Sequence, residues 1–157
     1  MSNEFFKLFE PDLIFIECFN DVNEAFEKIS DKLFRKGLVK SDYIKALKKR
    51  EKEFPTGIDL SVVAPNLPNV AIPHTESEYC NETKVIVVKL KNELNFKNMM
   101  NSSENLNVKY LFMILNEAGG EQANILANIM KFITNKENID KLEEANSIEE
   151  IYSILNQ

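Results

Sequence analysis

The chain has 157 residues, 44% hydrophobic and 28% charged, with a net charge of −6 from 19 Lys and Arg against 25 Asp and Glu. This mixture suits a globular fold with a proper core, and the expected organisation is a single domain over residues 1–157. The acidic balance argues against nucleic acid, whose phosphates need a basic footprint, and no apolar run approaches the length of a membrane span. Residues 1–7 lack the basic-then-apolar pattern of a secretory signal. Cys18 and Cys80 lie far apart with no CxxC pair, so free thiols are expected, with the cytoplasm as the default compartment.

Residues 12–18 are apolar enough for a first strand. Asn20 and Asp21 offer a cap for a helix with Val22, Ala25, Phe26, Ile29, Leu33 and Phe34 on one face, ending at Gly37. Ser41 and Asp42 can cap a second helix, with Tyr43, Ile44, Ala46 and Leu47 inward and Lys45, Lys48, Lys49 and Arg50 mostly outside. It must stop before Pro55, because the residue preceding a proline avoids the helical region. Pro55-Thr56-Gly57 reads as a turn. A loop over 65–68 leads into the strand-like Val70-Ala71-Ile72, closed by Pro73, and residues 75–83 form another loop.

Residues 84–90 are a strong strand whose β-branched run suggests burial on both faces. Residues 91–107 read as a polar connection, 108–115 as a second strong strand and 116–120 as the turn after it. Glu121 opens a helix carrying Ile125, Leu126, Ile129, Met130 and Ile133 at helical spacing. A short helical piece follows over 138–142. Ser147, with Glu149 and Glu150 in the first turn, begins the last helix, completed by Ile151, Ile154 and Leu155. The alternation predicts an α/β fold of four to five strands, without giving their order.

His74 is the only histidine. A lone histidine reads equally well as a packed structural ring. Its context favours chemistry: a strand-to-loop transition, Pro73 fixing the backbone before it, and the hydroxyls of Thr75 and Ser77 close enough in sequence to orient a ring or contact an anion. A zinc site lacks ligand spacing, a hydrolase lacks a nucleophile in a recognisable turn, and no GxGxxG or Walker-type loop is present. Histidine as a nucleophile remains. An imidazole titrating near neutrality offers a free ring nitrogen that can take a phosphoryl group without a metal. The protein then has mainly to position the group and neutralise its charge, as a guanidinium can. Arg50, at a helix end before the Pro-Thr-Gly turn, is the candidate; it reads equally as one more cation of the Lys48-Lys49-Arg50 cluster.

Arg50-Glu51, Pro55-Thr56-Gly57 and Val70-Ala71-Ile72-Pro73-His74 together resemble the enzyme IIA component of the sugar phosphotransferase system, in its fructose–mannitol–galactitol class. The resemblance runs from the first strand to the last helix. It implies a mixed β-sheet of about five strands flanked by helices, and no cofactor or metal. It implies that His74 takes a phosphoryl group from phospho-HPr and passes it to enzyme IIB, serving sugar uptake through the membrane component enzyme IIC. Arg50 matches the arginine that neutralises the phosphoryl group, and Thr56 the threonine near the site. Many fructose- and mannitol-type members carry a second histidine where this chain has Gln122. Glutamine there, with Glu53-Phe54-Pro55-Thr56-Gly57-Ile58, resembles the galactitol branch. Gln122 then either bonds the ring or phosphate, or is a surface residue at a helix start. A regulatory member of the same fold and a binding module with a structural His74 are the alternative readings.

Overall fold

The computed structural model of the chain describes residues 3–119 and 122–157. Among them the order is α1 (Asn3–Phe6), β1 (Ile14–Glu17), α2 (Val22–Arg35), α3 (Tyr43–Glu53), β2 (Gly57–Ile58), β3 (Asn69–Ala71), β4 (Lys84–Asn98), β5 (Asn101–Leu115), α4 (Gln122–Ile133), α5 (Lys136–Glu144) and α6 (Ile148–Leu155). The helix ends follow local chemistry. The Asp21 carboxylate accepts from the Glu24 N–H at 2.8 Å to start α2. Gly37, at φ 77°, closes it as the Leu38 N–H reaches back to the Leu33 carbonyl. Ser147 starts α6 by accepting from the Glu150 N–H. Asp42 precedes α3 but makes no side-chain cap bond.

All five strands join one mixed sheet. β1 runs parallel to β4, β4 and β5 are antiparallel, β3 is parallel to β5, and β2 is antiparallel to β3. β2 also meets the far end of β4 in parallel, at Gly57 and Asn98. Helices cover both faces: α2 and α3 pack on Ile86, Val88, Met113 and Leu115, and α4, α5 and α6 on Val85, Val87, Phe112 and Ile114. That double burial is why residues 85–88 of β4 and 110–115 of β5 read as unbroken apolar runs.

The connection expected over 91–107 is instead the outer half of a long hairpin with its tip at Met99 and Met100. Leu94, Phe96, Leu106 and Val108 alternate inward towards α2, with Phe96 edge-on to Phe26, while the polar residues between them face solvent. One solvated face made a strand look like a loop. The first strand begins later than expected, because a 3-10 turn takes Pro11–Leu13. Gly57 lies in a strand rather than a turn. A Cβ there would stand 2.6 Å from the Lys97 carbonyl oxygen, so glycine permits the close approach of β2 to β4.

Candidate functional site

The pairing of β2 with β3 sets Gly57 opposite Ala71, and one step further the Ile72 N–H donates to the Thr56 carbonyl at 3.2 Å. The Ile114 N–H of β5 then donates to the Pro73 carbonyl at 3.1 Å, and His74 lies in a parallel bridge with Ile114. The segment 72–74 is therefore held between two strands, not left in a free loop. His74 is 8% exposed. Its Nδ1 lies 2.8 Å from the Ile72 carbonyl oxygen, which can only accept, so Nδ1 carries the proton and Nε2 keeps its lone pair. Burial draws the imidazole pKa below its ordinary value. The Ile72 carbonyl opposes that shift, Arg50 adds to it and Glu76 opposes it. The net shift favours the neutral ring.

Arg50 stands on the last turn of α3, and the three successive cations there diverge. Lys48 pairs with Glu27 at 2.6 Å and Lys49 with Glu53 at 4.0 Å, while Arg50 Nη1 donates to Glu76 Oε2 at 3.2 Å. The Arg50 Cζ lies 4.7 Å from the ring centroid of Phe54, which is 57% exposed. Arg50 Nε is buried without a hydrogen-bond partner among the described residues. A buried N–H without an acceptor is costly, and this one leaves an unused donor on a guanidinium whose charge reaches His74.

Thr56 is buried and clamped by Glu51. Its N–H donates to Glu51 Oε2 at 2.8 Å and its hydroxyl to Oε1 at 2.7 Å. A continuous run of hydrogen bonds thus leads from the Glu51 carboxyl through the Thr56 and Ile72 peptides to His74 Nδ1. Burial pushes the Glu51 carboxyl up to about 7, against the two bonds from Thr56. The hydroxyl of Thr75 donates to the Glu76 carbonyl and approaches the buried Cys80 sulfur, so it is turned to its own loop. Ser77 Oγ lies beside Gly119, where a Cβ would come within 2.9 Å of it. Gln122 opens α4, and its side chain lies outside the described residues. Cys18 and Cys80 are free thiols.

The structure therefore gathers His74, Arg50 and the Thr56 peptide, and adds two carboxylates to which sequence reading gave no role. Glu51 stands beside Arg50 in the quoted motif, yet nothing in one dimension shows that it grips Thr56. Glu76 lies two residues after His74 but 26 from its partner Arg50, a pairing that only the fold creates.

The chain is similar to three known proteins, one in sequence and two in fold. The galactitol-specific EIIA component of the phosphotransferase system of Escherichia coli K12 is 33% identical over 79 residues, 50% of this chain. The matched stretch spans about half of that relative's length, 49%. The fold matches nitrogen regulatory protein IIA-Ntr of Neisseria meningitidis with a TM-score of 0.77 at 20% identity, over 98% of this chain and 99% of that one. It also matches a chain of the Escherichia coli complex of enzyme IIAMtl with phosphorylated enzyme IIBMtl, with a TM-score of 0.74 at 18% identity, over 94% and 96%. The family model for the phosphoenolpyruvate-dependent sugar phosphotransferase system, EIIA 2, matches residues 7–157. The chain belongs to this family of phosphotransferase-system EIIA components.

Proposed function

We propose that the protein is a phosphocarrier in which His74 Nε2 is the phosphoryl acceptor. The observation that carries this is a buried imidazole with Nδ1–H tied to the Ile72 carbonyl, within the electrostatic reach of a guanidinium with an unused N–H. The Nε2 lone pair attacks phosphorus in phospho-HPr. The new N–P bond forms as the donor's P–N bond breaks, and its electron pair returns to the donor ring. Nδ1 keeps its proton, shared with Ile72. In the second half-reaction the acceptor is enzyme IIB, and the electron pair of the His74 N–P bond returns to Nε2. Arg50 neutralises the metaphosphate-like group as it passes, while the fixed backbone of 72–74 holds the ring.

Two partners must reach the same ring in turn, so each interface is weak and at the small end of the size range, with exposed Phe54 at its rim. The similarity to a IIA–IIB complex supports IIB as the acceptor. Enzyme IIC would be served indirectly, with the protein working at the cytoplasmic side. The 33% identity to a galactitol-specific component, with Gln122 in the sequence, supports a galactitol-type system.

The test is incubation with phosphoenolpyruvate, enzyme I and HPr. Wild type should gain one acid-labile, base-stable phosphate, and His74→Ala none. Equal labelling of the two would remove the proposal. The fold likeness to IIA-Ntr supports a second reading, in which the same phosphorylation controls other proteins. Phosphoryl passage to an enzyme IIB encoded beside this chain separates the two.

A further inference from the structure

The ion pair between Arg50 and Glu76 puts a negative charge on the cation that a phosphoryl group on His74 would need. We propose that Glu76 sets how tightly His74 holds its phosphoryl group, by occupying one edge of the Arg50 guanidinium and placing a carboxylate beside the phosphorylated ring. The inference rests on the phosphocarrier reading above.

The geometry assigns the two edges of the guanidinium different tasks. Nη1 donates to Glu76, while Nε is buried without a partner among the described residues. Glu76 therefore leaves one N–H of Arg50 without a competing acceptor among the described residues. Arg50 brings one positive charge, against about two negative charges on a phosphoryl group. With Glu76 on the same cation, part of that charge is already spent, and the phosphorylated ring faces net repulsion. Both charges reach the ring, Arg50 lowering the His74 pKa and Glu76 raising it. A carrier must release what it accepts. A guanidinium free of Glu76 would hold the phosphoryl group more firmly and pass it on less readily. The Glu76 side chain is half exposed, so the pair is weak enough to rearrange as charge arrives.

The experiment equilibrates wild type, Glu76→Gln, Glu76→Asp and Glu78→Gln with HPr and phospho-HPr, and measures the phosphorylated fraction of each protein. Glu78 is the next carboxylate of the same loop and forms no ion pair among the described residues. Glu76→Gln should shift the equilibrium about fivefold towards the phosphorylated protein. Glu76→Asp and Glu78→Gln should stay near wild type. The His74 ring, followed by NMR, should titrate lower in Glu76→Gln, because a group that raises its pKa is gone. A merely structural ion pair would slow transfer and leave the equilibrium in place. Wild type that is phosphorylated while Glu76→Gln sits at the wild-type equilibrium, or below it, overturns the inference alone. Wild type that accepts no phosphoryl group removes the phosphocarrier reading and this inference with it.

Discussion

The Arg50 guanidinium bonds Glu76, lies over the Phe54 ring and has no partner for Nε among the described residues, so its loss has separable effects. Arg50→Ala should slow phosphoryl transfer by about 10²–10³, the usual cost of removing one preorganised donor. It should change stability by less than about 1 kcal/mol, because the ion pair is partly exposed. It should also raise the His74 pKa, since Arg50 depresses it. Comparable losses in folding and transfer would assign Arg50 a packing role. Glu51 gives a prediction in pH. Its carboxyl is pushed up to about 7 in the fold from an ordinary 4.5, so folding favours its protonated form. The stabilisation this brings is fully present below pH 4.5 and is lost as pH rises through 7. The protonated acid still fits, because the Thr56 hydroxyl can turn from donor to acceptor. Glu51→Gln should flatten the change in stability between pH 4.5 and 7 by about 2 kcal/mol, read from urea midpoints across that range. His74 runs the other way: its pKa is lowered, so its contribution to stability is present above pH 6.5 and falls as the medium acidifies below it.

At the scale of elements, two contacts tie β4 to its neighbours. β2 is only two residues long and reaches β4 because Gly57 has no side chain. Gly57→Ala should cost about 1–3 kcal/mol, the price of overpacking. It should also disturb Thr56, and so broaden the His74 ring resonances; a variant with wild-type melting and unchanged ring signals would show that the Lys97 carbonyl yields freely. On the opposite face, Lys89 is buried in β4 and donates to the carbonyls of Leu142, Glu143 and Ala145 where α5 ends. A lysine in an apolar strand breaks the pattern until those carbonyls are seen to need a donor. Lys89→Met fills the space but leaves them unbonded, and should destabilise the protein by about 2–3 kcal/mol in thermal or urea unfolding, with α5 and α6 exchanging their amides first.

Over the whole molecule, the sequence reading succeeds where one residue's chemistry decides the structure. Asp21, Gly37 and Ser147 act locally, so α2 and α6 are legible in one dimension. The double burial of β4 and β5 left unbroken apolar runs that identify them as strands. Three features escape that reading. The outer hairpin is polar because one of its faces is wet, and its Leu94-x-Phe96 and Leu106-x-Val108 alternation is too brief to outweigh its charges. Gly57 signals a turn by type, although its role depends on a carbonyl 40 residues later in the chain. Arg50 and His74 are visible as types, but the carboxylates that tune them, Glu51 and Glu76, acquire partners only through tertiary pairing.

The strand pairings also bear on how copies of the protein avoid one another. β4, β5, β3 and β2 pair in a circuit, because β2 returns to the end of β4. Among the described residues β4 has three neighbours, β1, β2 and β5, the other strands of the circuit have two each, and β1 has a single one. β1 is four residues long and ends at Glu17. An open edge so short and acid-tipped is a poor template for a strand from another molecule, so the same glycine contact that steadies the site also withholds an aggregation surface.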